Sequence, residues 1–344
     1  MAGKRIVYYD VLNIVACICV VAMHCNVMVH TYAPGGNWIL GMAIEAACYF
    51  AVPIFFMISG ANLMRYRERY DTKAFLKKRF VKTLVPLLAF SVLIYLYRFG
   101  FHHPDPGFGI AQFVSYFFSS QIESTYWFFF PLFGMYLSMP LLSLLADHKK
   151  VLVYAVAVAF ACQSVGPYAL SALGWGSWNP DLDIAAASGY LMYAILGFLI
   201  AEGDMPRRTR LAVYALGMFG LLFRFGYTLV FSEAAGAVDR TYFTYLAFPA
   251  VLYSVAVFTW FKYRDWSPVA ARPKLCRALS RVSSCSFGVY LMHNVVLAGV
   301  VFNFLGVLET SVALRVAGPL ALYLACLAVV LVMKRIPVVR HMVP

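Results

Sequence analysis

The chain has 344 residues, 62% of them hydrophobic and only 12% charged, with a mean hydropathy of +0.76 and a formal net charge of +13. So little polar material cannot cover a soluble globule, and the composition is that of a polytopic integral membrane protein. The basic excess excludes little by itself, because topology and anionic headgroups explain it without a nucleic-acid partner.

A helix needs about 20 mostly apolar residues to cross the hydrocarbon core. Ten stretches qualify: about 8–29, 38–64, 83–101, 126–146, 151–171, 187–203, 210–231, 242–261, 284–306 and 312–333. The expected fold is therefore all-α, with about ten transmembrane helices and one membrane domain over 1–344. The first apolar run is longer than a signal-peptide core and reads as a retained anchor. If Lys4 and Arg5 are cytoplasmic, the loops at about 65–82, 147–150, 204–209 and 262–283 and the C-terminal tail are too. All 28 Lys and Arg except Arg98, Arg224, Arg240 and Arg315 then fall on that side. The positive-inside rule thus places both termini in the cytoplasm of a multi-pass protein of the cell membrane. The eight cysteines lie in spans or on the cytoplasmic side, with neither a disulfide framework nor metal-ligand spacing. No metal is expected.

Ionisable groups inside spans are costly, and they mark functional candidates. In chain order, Asp10 and Asn13 lie near the inner mouth of the first span, His24 in its outer third before Cys25 and Asn26, and His30 at its outer mouth. A lone intramembrane His equally suits a helix–helix hydrogen bond. Glu45, in the outer half of the second span, is expected at the depth of His24, where a carboxylate would position the imidazole as a general base. Val52-Pro53-Ile54-Phe55-Phe56-Met57-Ile58-Ser59-Gly60 interrupts the same span, Gly60 reading best as a close-packing residue. The basic run Lys77-Lys78-Arg79-Phe80-Val81-Lys82 leads into the third span; Arg79 and Lys82, three apart, share a helix face able to hold phosphate.

Glu123 precedes Tyr126-Trp127-Phe128-Phe129 at the start of the fourth span. His102, His103 and Asp105 read as a solvated outer loop, and Trp175 and Trp178 with Asp181 and Asp183 as an interfacial belt. Arg224 sits inside the seventh span and needs an acidic partner or a wet cavity. Ser286-Phe287-Gly288-Val289-Tyr290-Leu291-Met292-His293-Asn294 brings a second buried His into the ninth.

Taken in order, the first-helix His, the Val-Pro-x-Phe-Phe-x-x-Ser-Gly run, the Lys-Lys-Arg segment, the Tyr-Trp-Phe-Phe and the late Ser-Phe-Gly-Val-Tyr-Leu-Met-His resemble the acyltransferase 3 family of ten-helix membrane acyltransferases, from about 5 to 335. The resemblance implies an O-acetyltransferase that takes acetyl from cytoplasmic acetyl-CoA, with no other cofactor, and acylates an envelope glycan or lipid-linked sugar. It aligns His24 with the family's essential His, Arg79 and Lys82 with an Arg-x-x-Arg donor site, Trp127 with an aromatic after the third external segment, and His293 with a late His. Asn13 stands where many members carry Arg, and Lys82 lacks the bidentate fork of the second Arg.

The candidate sites are accordingly His24, Glu45 and His293 for catalysis, Arg79, Lys82, Lys78 and Asn13 for the donor, and Trp127, Tyr126, Ser59 and Glu123 for the acceptor. The expected partners are acyl-CoA, the glycan or lipid-linked acceptor and membrane lipids. Oxyanion donors among Asn26, Ser59 and Tyr290 are not ranked by sequence. A proton-coupled transporter or polysaccharide exporter is the alternative, since buried His and carboxylates in a broken span suit it as well.

Overall fold

The computed structural model describes residues 6–102, 104–179, 181–299 and 312–343. Lys4, Arg5, His103 and the outer end of the expected ninth span lie outside the described residues. The protein is 78% helical, without strands among the described residues.

The order is α1 (Val7–Cys25), α2 (Gly36–Cys48), α3 (Ala51–Leu63), α4 (Thr72–Tyr95), α5 (Ile110–Phe118), α6 (Phe129–Leu142), α7 (Lys149–Ala159) and α8 (Gly166–Ala172). It continues with α9 (Leu191–Glu202), α10 (Arg207–Ala235), α11 (Phe248–Tyr263), α12 (Ser267–Ala270), α13 (Pro273–Ser283), α14 (Ser286–Val296) and α15 (Val312–Met333). Among the described residues, seven helical segments are long and apolar enough to cross a membrane, and α13 with α14 makes an eighth if their 49° bend belongs to one span. The other two expected spans coincide with α9, of 12 residues, and α11, of 16, or about 18 and 24 Å of helix against a core of about 30 Å.

Two sequence boundaries move. The basic segment expected in the loop at 65–82 is mostly helix: Asp71 caps α4 by accepting the Ala74 N–H at 2.8 Å, so Lys77, Lys78, Arg79 and Lys82 ride on its first turns. Likewise the end of the 262–283 loop folds as α13, with Lys274, Arg277 and Arg281 along a short amphipathic helix. The outer loop after the third expected span also contains a helix, α5, anchored where Tyr95 donates to Gln112 at 2.7 Å.

α1 is the axis of the bundle, packing against α2, α3, α11, α13, α14 and α15. Close pairs around it depend on small residues. A Cβ on Gly60 would overlap the Ala194 backbone and one on Gly197 the Met57 backbone, so α3 and α9 meet backbone to backbone. A Cβ on Gly220 would likewise overlap the Pro249 carbonyl and one on Gly217 the Ala256 methyl, which brings α10 close to α11.

Charges define the two ends. At one, Arg65 pairs with Glu68 at 3.0 Å, Asp147 at 2.9 Å and Glu202 at 3.3 Å, while Lys262 donates to the carbonyls of Ile200 and Gly203. With the Tyr263 hydroxyl donating to Asp204 at 3.0 Å, four of the loops assigned to one side by sequence converge. At the other end Arg240 donates to the His30 carbonyl at 3.1 Å and Arg98 pairs with Glu123 at 3.0 Å.

Candidate active site

His24 and His293 meet at the centre. His24 is near the C-terminal end of α1 and His293 is fully buried on α14; His293 Nε2 lies 3.1 Å from His24 Nδ1. Their protons are assigned by the backbone, because a carbonyl can only accept. His293 Nδ1 is 2.7 Å from the Tyr290 carbonyl, so it carries the proton and leaves Nε2 as an acceptor. His24 Nδ1 is 2.8 Å from the Val20 carbonyl, so it too is protonated and shares its hydrogen between Val20 and His293. The remaining nitrogen, His24 Nε2, holds the free lone pair, as a general base requires.

A reciprocal clasp holds α14 in register. Tyr126 donates to the Leu291 carbonyl and Tyr290 to the Thr125 carbonyl, both at 2.7 Å. Tyr126, an acceptor candidate by sequence, is thus a strut behind His293 and does not share a cavity with Trp127. Glu123, also fully buried, accepts from Asn294 at 2.6 Å and pairs with Arg98, which fixes the residue next to His293.

Two cavities flank this centre. The inner one, of about 300 Å³, is lined by Asn13, Ser59, Phe128, Tyr136, Ser283, Ser286 and Tyr290 among others. The outer one, of about 350 Å³, exposes His24, His30 and Glu45 within walls of Tyr49, Trp127, Tyr190, Phe243 and Tyr245. They share no residue. α1 runs past both, with Asn13 in one and His24, 11 residues on, in the other, about 16 Å along the axis. Between them stands an aromatic layer in which Phe128 packs on Tyr290 at 5.3 Å and on Phe56 at 5.1 Å, and Phe56 stacks on Tyr190 at 4.6 Å. Neighbours in sequence, Trp127 and Phe128, face opposite cavities.

Several sequence expectations shift here. Glu45 shares the outer cavity with His24, but its ion pair is with Arg224, at 3.6 Å, both side chains buried. That also supplies the partner for Arg224, whose guanidinium lies 3.5 Å above the Tyr49 ring. Ser59 falls in the inner cavity with Asn13, not beside Trp127. Glu123 lines neither, but borders a separate cavity of about 460 Å³ with Arg98 and Asn294. Of the oxyanion candidates, Asn26 is engaged with the Ala22 carbonyl at 2.9 Å and Tyr290 with Thr125, leaving Ser59. Ser286, whose buried hydroxyl has no partner among the described residues, joins Ser59 in the same cavity.

Among the described residues none of the α4 cations lines the inner cavity; Phe80, next to Arg79, meets Tyr136 of its wall at 6.5 Å between ring centroids. Arg79 reaches the Tyr70 hydroxyl at 3.5 Å, and adjacent Phe80 stacks on Phe133 of α6 at 5.3 Å. Lys78 lies over the Tyr70 ring at 5.0 Å and Lys82 is exposed. Burial would push the Tyr70 phenol up, but the Arg79 hydrogen bond and the Arg79, Lys78 and Arg69 charges hold it below its usual range. Asn13 donates to the carbonyl and hydroxyl of Ser283, both at 3.0 Å, closing the cavity wall rather than offering a cation.

Sequence reading missed Lys334. It extends from the end of α15 to the Ser284 carbonyl at 2.9 Å, on the wall of the inner cavity. Burial and the neighbouring Lys82 hold this ammonium below its ordinary range, against an opposing pull from Cys285. Only its place in the basic C-terminal tail is visible in sequence. Among the described residues, no three His, Cys, Asp or Glu side chains converge as a metal site.

Comparison with known proteins identifies one family over nearly the whole chain. A family model described as an acyltransferase domain matches residues 6–334. No curated protein and no solved structure matches the chain significantly. The chain therefore belongs to the acyltransferase 3 family, whose members are membrane acyltransferases.

Proposed function

We propose that the protein moves an acetyl group from cytoplasmic acetyl-CoA to a hydroxyl of an envelope glycan or lipid-linked sugar, His24 acting as the base. The observation that carries this reading is the position of His24: it stands in the outer cavity, its free Nε2 set by the Val20 and His293 contacts, one aromatic layer from a second cavity that has Lys334 at its wall.

The donor enters from the basic end. The phosphates of coenzyme A stay with Arg79, Lys82, Lys78 and Lys334, while the uncharged pantetheine arm threads the inner cavity past Asn13 and Ser283. The acceptor enters from the other side, its sugar faces against Trp127 and the neighbouring tyrosines. His24 Nε2 takes the hydroxyl proton as the oxygen attacks the thioester carbonyl carbon. Ser59 and Ser286, in the inner cavity across the aromatic layer, hydrogen-bond the pantetheine arm rather than the oxyanion that forms beside His24. Collapse of that oxyanion expels the coenzyme A thiolate, which takes the proton back from His24. While His24 is charged, its Nδ1–H bond to His293 becomes charge-assisted, so the second histidine stabilises the step without exchanging a proton.

Transfer requires the aromatic layer to open. Phe128 is held by ring contacts alone, whereas Tyr290 is also tied by a hydrogen bond, so Phe128 is the part with least to lose. The same reading puts both termini in the cytoplasm of the cell membrane and counts α9 and α11 as short spans among ten, accommodated by local thinning of the bilayer. Convergence of the basic loops at one end supports it.

The test uses proteoliposomes in which the protein's orientation has been fixed by protease accessibility, with membrane extract as the source of acceptor. Labelled acetyl-CoA presented at the basic face should be consumed, and the same donor confined to the other face should not. Equal consumption from either face, or none with folded protein, would overturn the proposal.

A further inference from the structure

A second cationic site lies away from the histidines, at the junction of α10 and α11. A cavity of about 300 Å³ is lined by Arg207, Arg210, Leu211, Tyr214, Trp260, Tyr263 and Arg264. Arg207, Arg210, Leu211 and Tyr214 recur at the spacing of one helix face over the first two turns of a 29-residue helix, where backbone N–H groups also favour an anion. Opposite them stand the last residues of α11 and its flank.

The three guanidinium groups have no anionic partner among the described residues. Among the described residues none of them makes a side-chain hydrogen bond or ion pair, and Arg210 Nε is buried without a partner. They rest on rings instead, Arg210 at 4.4 Å over Tyr263 and Arg264 at 5.0 Å over Trp260. These contacts hold the planar forks in place while leaving their N–H edges available. No carboxylate lines the cavity; the nearby Asp204 is taken up by the Tyr263 hydroxyl at 3.0 Å. Lys262 is turned away to backbone carbonyls. Such a group of preorganised arginines matches a phosphate.

The rim identifies which phosphate. Leu211 is 55% exposed and Trp260 43%, on the outer surface of apolar helices. A free inorganic ion gains nothing from that apolar lip and a nucleotide has only its base to stack on Trp260, whereas a phospholipid has acyl chains to lay along both Leu211 and Trp260. We propose that this cavity binds the phosphate headgroup of an anionic phospholipid, such as phosphatidylglycerol, with its chains against Leu211 and Trp260. The site is independent of the acyl-transfer reading. It fastens the basic end of α10 and α11, the shorter of which needs a defined depth in the bilayer.

The experiment is native mass spectrometry of the purified full-length protein titrated with phosphatidylglycerol or phosphatidylcholine, comparing wild type, Arg210→Ala/Arg264→Ala and the milder Arg207→Gln. Each cation near a membrane surface is worth about fivefold in anionic-lipid affinity. The double variant should bind phosphatidylglycerol about 25-fold more weakly and Arg207→Gln about fivefold, with phosphatidylcholine unchanged. Undiminished phosphatidylglycerol binding by folded Arg207→Gln and by the double variant would overturn the proposal. Displacement of the bound lipid by millimolar coenzyme A or inorganic phosphate would overturn it as well, by showing that a soluble phosphate owns the site.

Discussion

Replacing His293 with Ala removes one acceptor, 3.1 Å from His24 Nδ1, and leaves the Val20 carbonyl still fixing the tautomer. The loss is felt mainly when His24 is protonated, because only then is the bond charge-assisted, and such bonds contribute about 1.5–3 kcal/mol. That corresponds to a fall in kcat of about 10- to 150-fold, with KM for acetyl-CoA unchanged. Removing the base itself in His24→Ala should cost more, about 100- to 10,000-fold. His293→Gln, whose amide oxygen can occupy the place of Nε2, should recover activity to within a few-fold of wild type. The assay is transfer of labelled acetyl in proteoliposomes, with helical content checked by circular dichroism because the site is fully buried. If His293→Ala were as inactive as His24→Ala and Gln gave no recovery, His293 would be the base and the assigned tautomers would be wrong. An unchanged kcat would make the histidine contact irrelevant to the chemistry.

Other perturbations probe the remaining parts. Arg79→Ala should raise KM for acetyl-CoA about tenfold at constant kcat, since a phosphate contact acts on ground and transition states alike; a fall in kcat alone would count against a donor-binding role. Because burial and Lys82 hold Lys334 below the usual ammonium range, it loses its proton, and donor affinity falls, at a lower pH than an ordinary lysine would allow. Lys334→Arg should remove that alkaline limb from a plot of KM against pH, and its persistence would exclude Lys334 as the source. Arg224→Met leaves Glu45 buried without its cation and should destabilise by about 3–5 kcal/mol, with Glu45→Gln/Arg224→Met recovering much of it; thermal unfolding in detergent measures both. Gly60→Val should lower the unfolding temperature sharply, as the added carbons strike the Ala194 backbone, and a wild-type value would refute the close α3–α9 contact.

What could be read from sequence follows from how local the physics is. Helical class, the membrane and the segregation of basic loops depend on composition and runs of apolar residues, and those are properties of short windows. Gly60 was readable as a packing residue because only a small side chain suits a close helix contact. Partners were not readable. Glu45 and Arg224 are far apart in the chain, and depth alone put His24 within the carboxylate's reach; the fold gave the carboxylate a cation instead. Tyr126 looked like an acceptor aromatic beside Trp127, but a 3₁₀ turn over Ser124–Phe128 directs these neighbours to different faces, one to a strut and one to a cavity. Lys334 was indistinguishable from any other tail cation until α15 brought it to Ser284. The tautomer of His24, on which its proposed role as base depends, is written in two backbone carbonyls and one histidine that no sequence spacing reveals.

The most direct measurement is consumption of radiolabelled acetyl-CoA by purified protein in proteoliposomes containing membrane extract, wild type beside His24→Ala. Turnover by the wild type that falls at least 100-fold in folded His24→Ala is the expected result. Equal turnover by the two proteins would remove His24 from the chemistry, and acetyl-CoA left intact by folded wild type, with solute flux driven by a proton gradient, would identify a transporter instead.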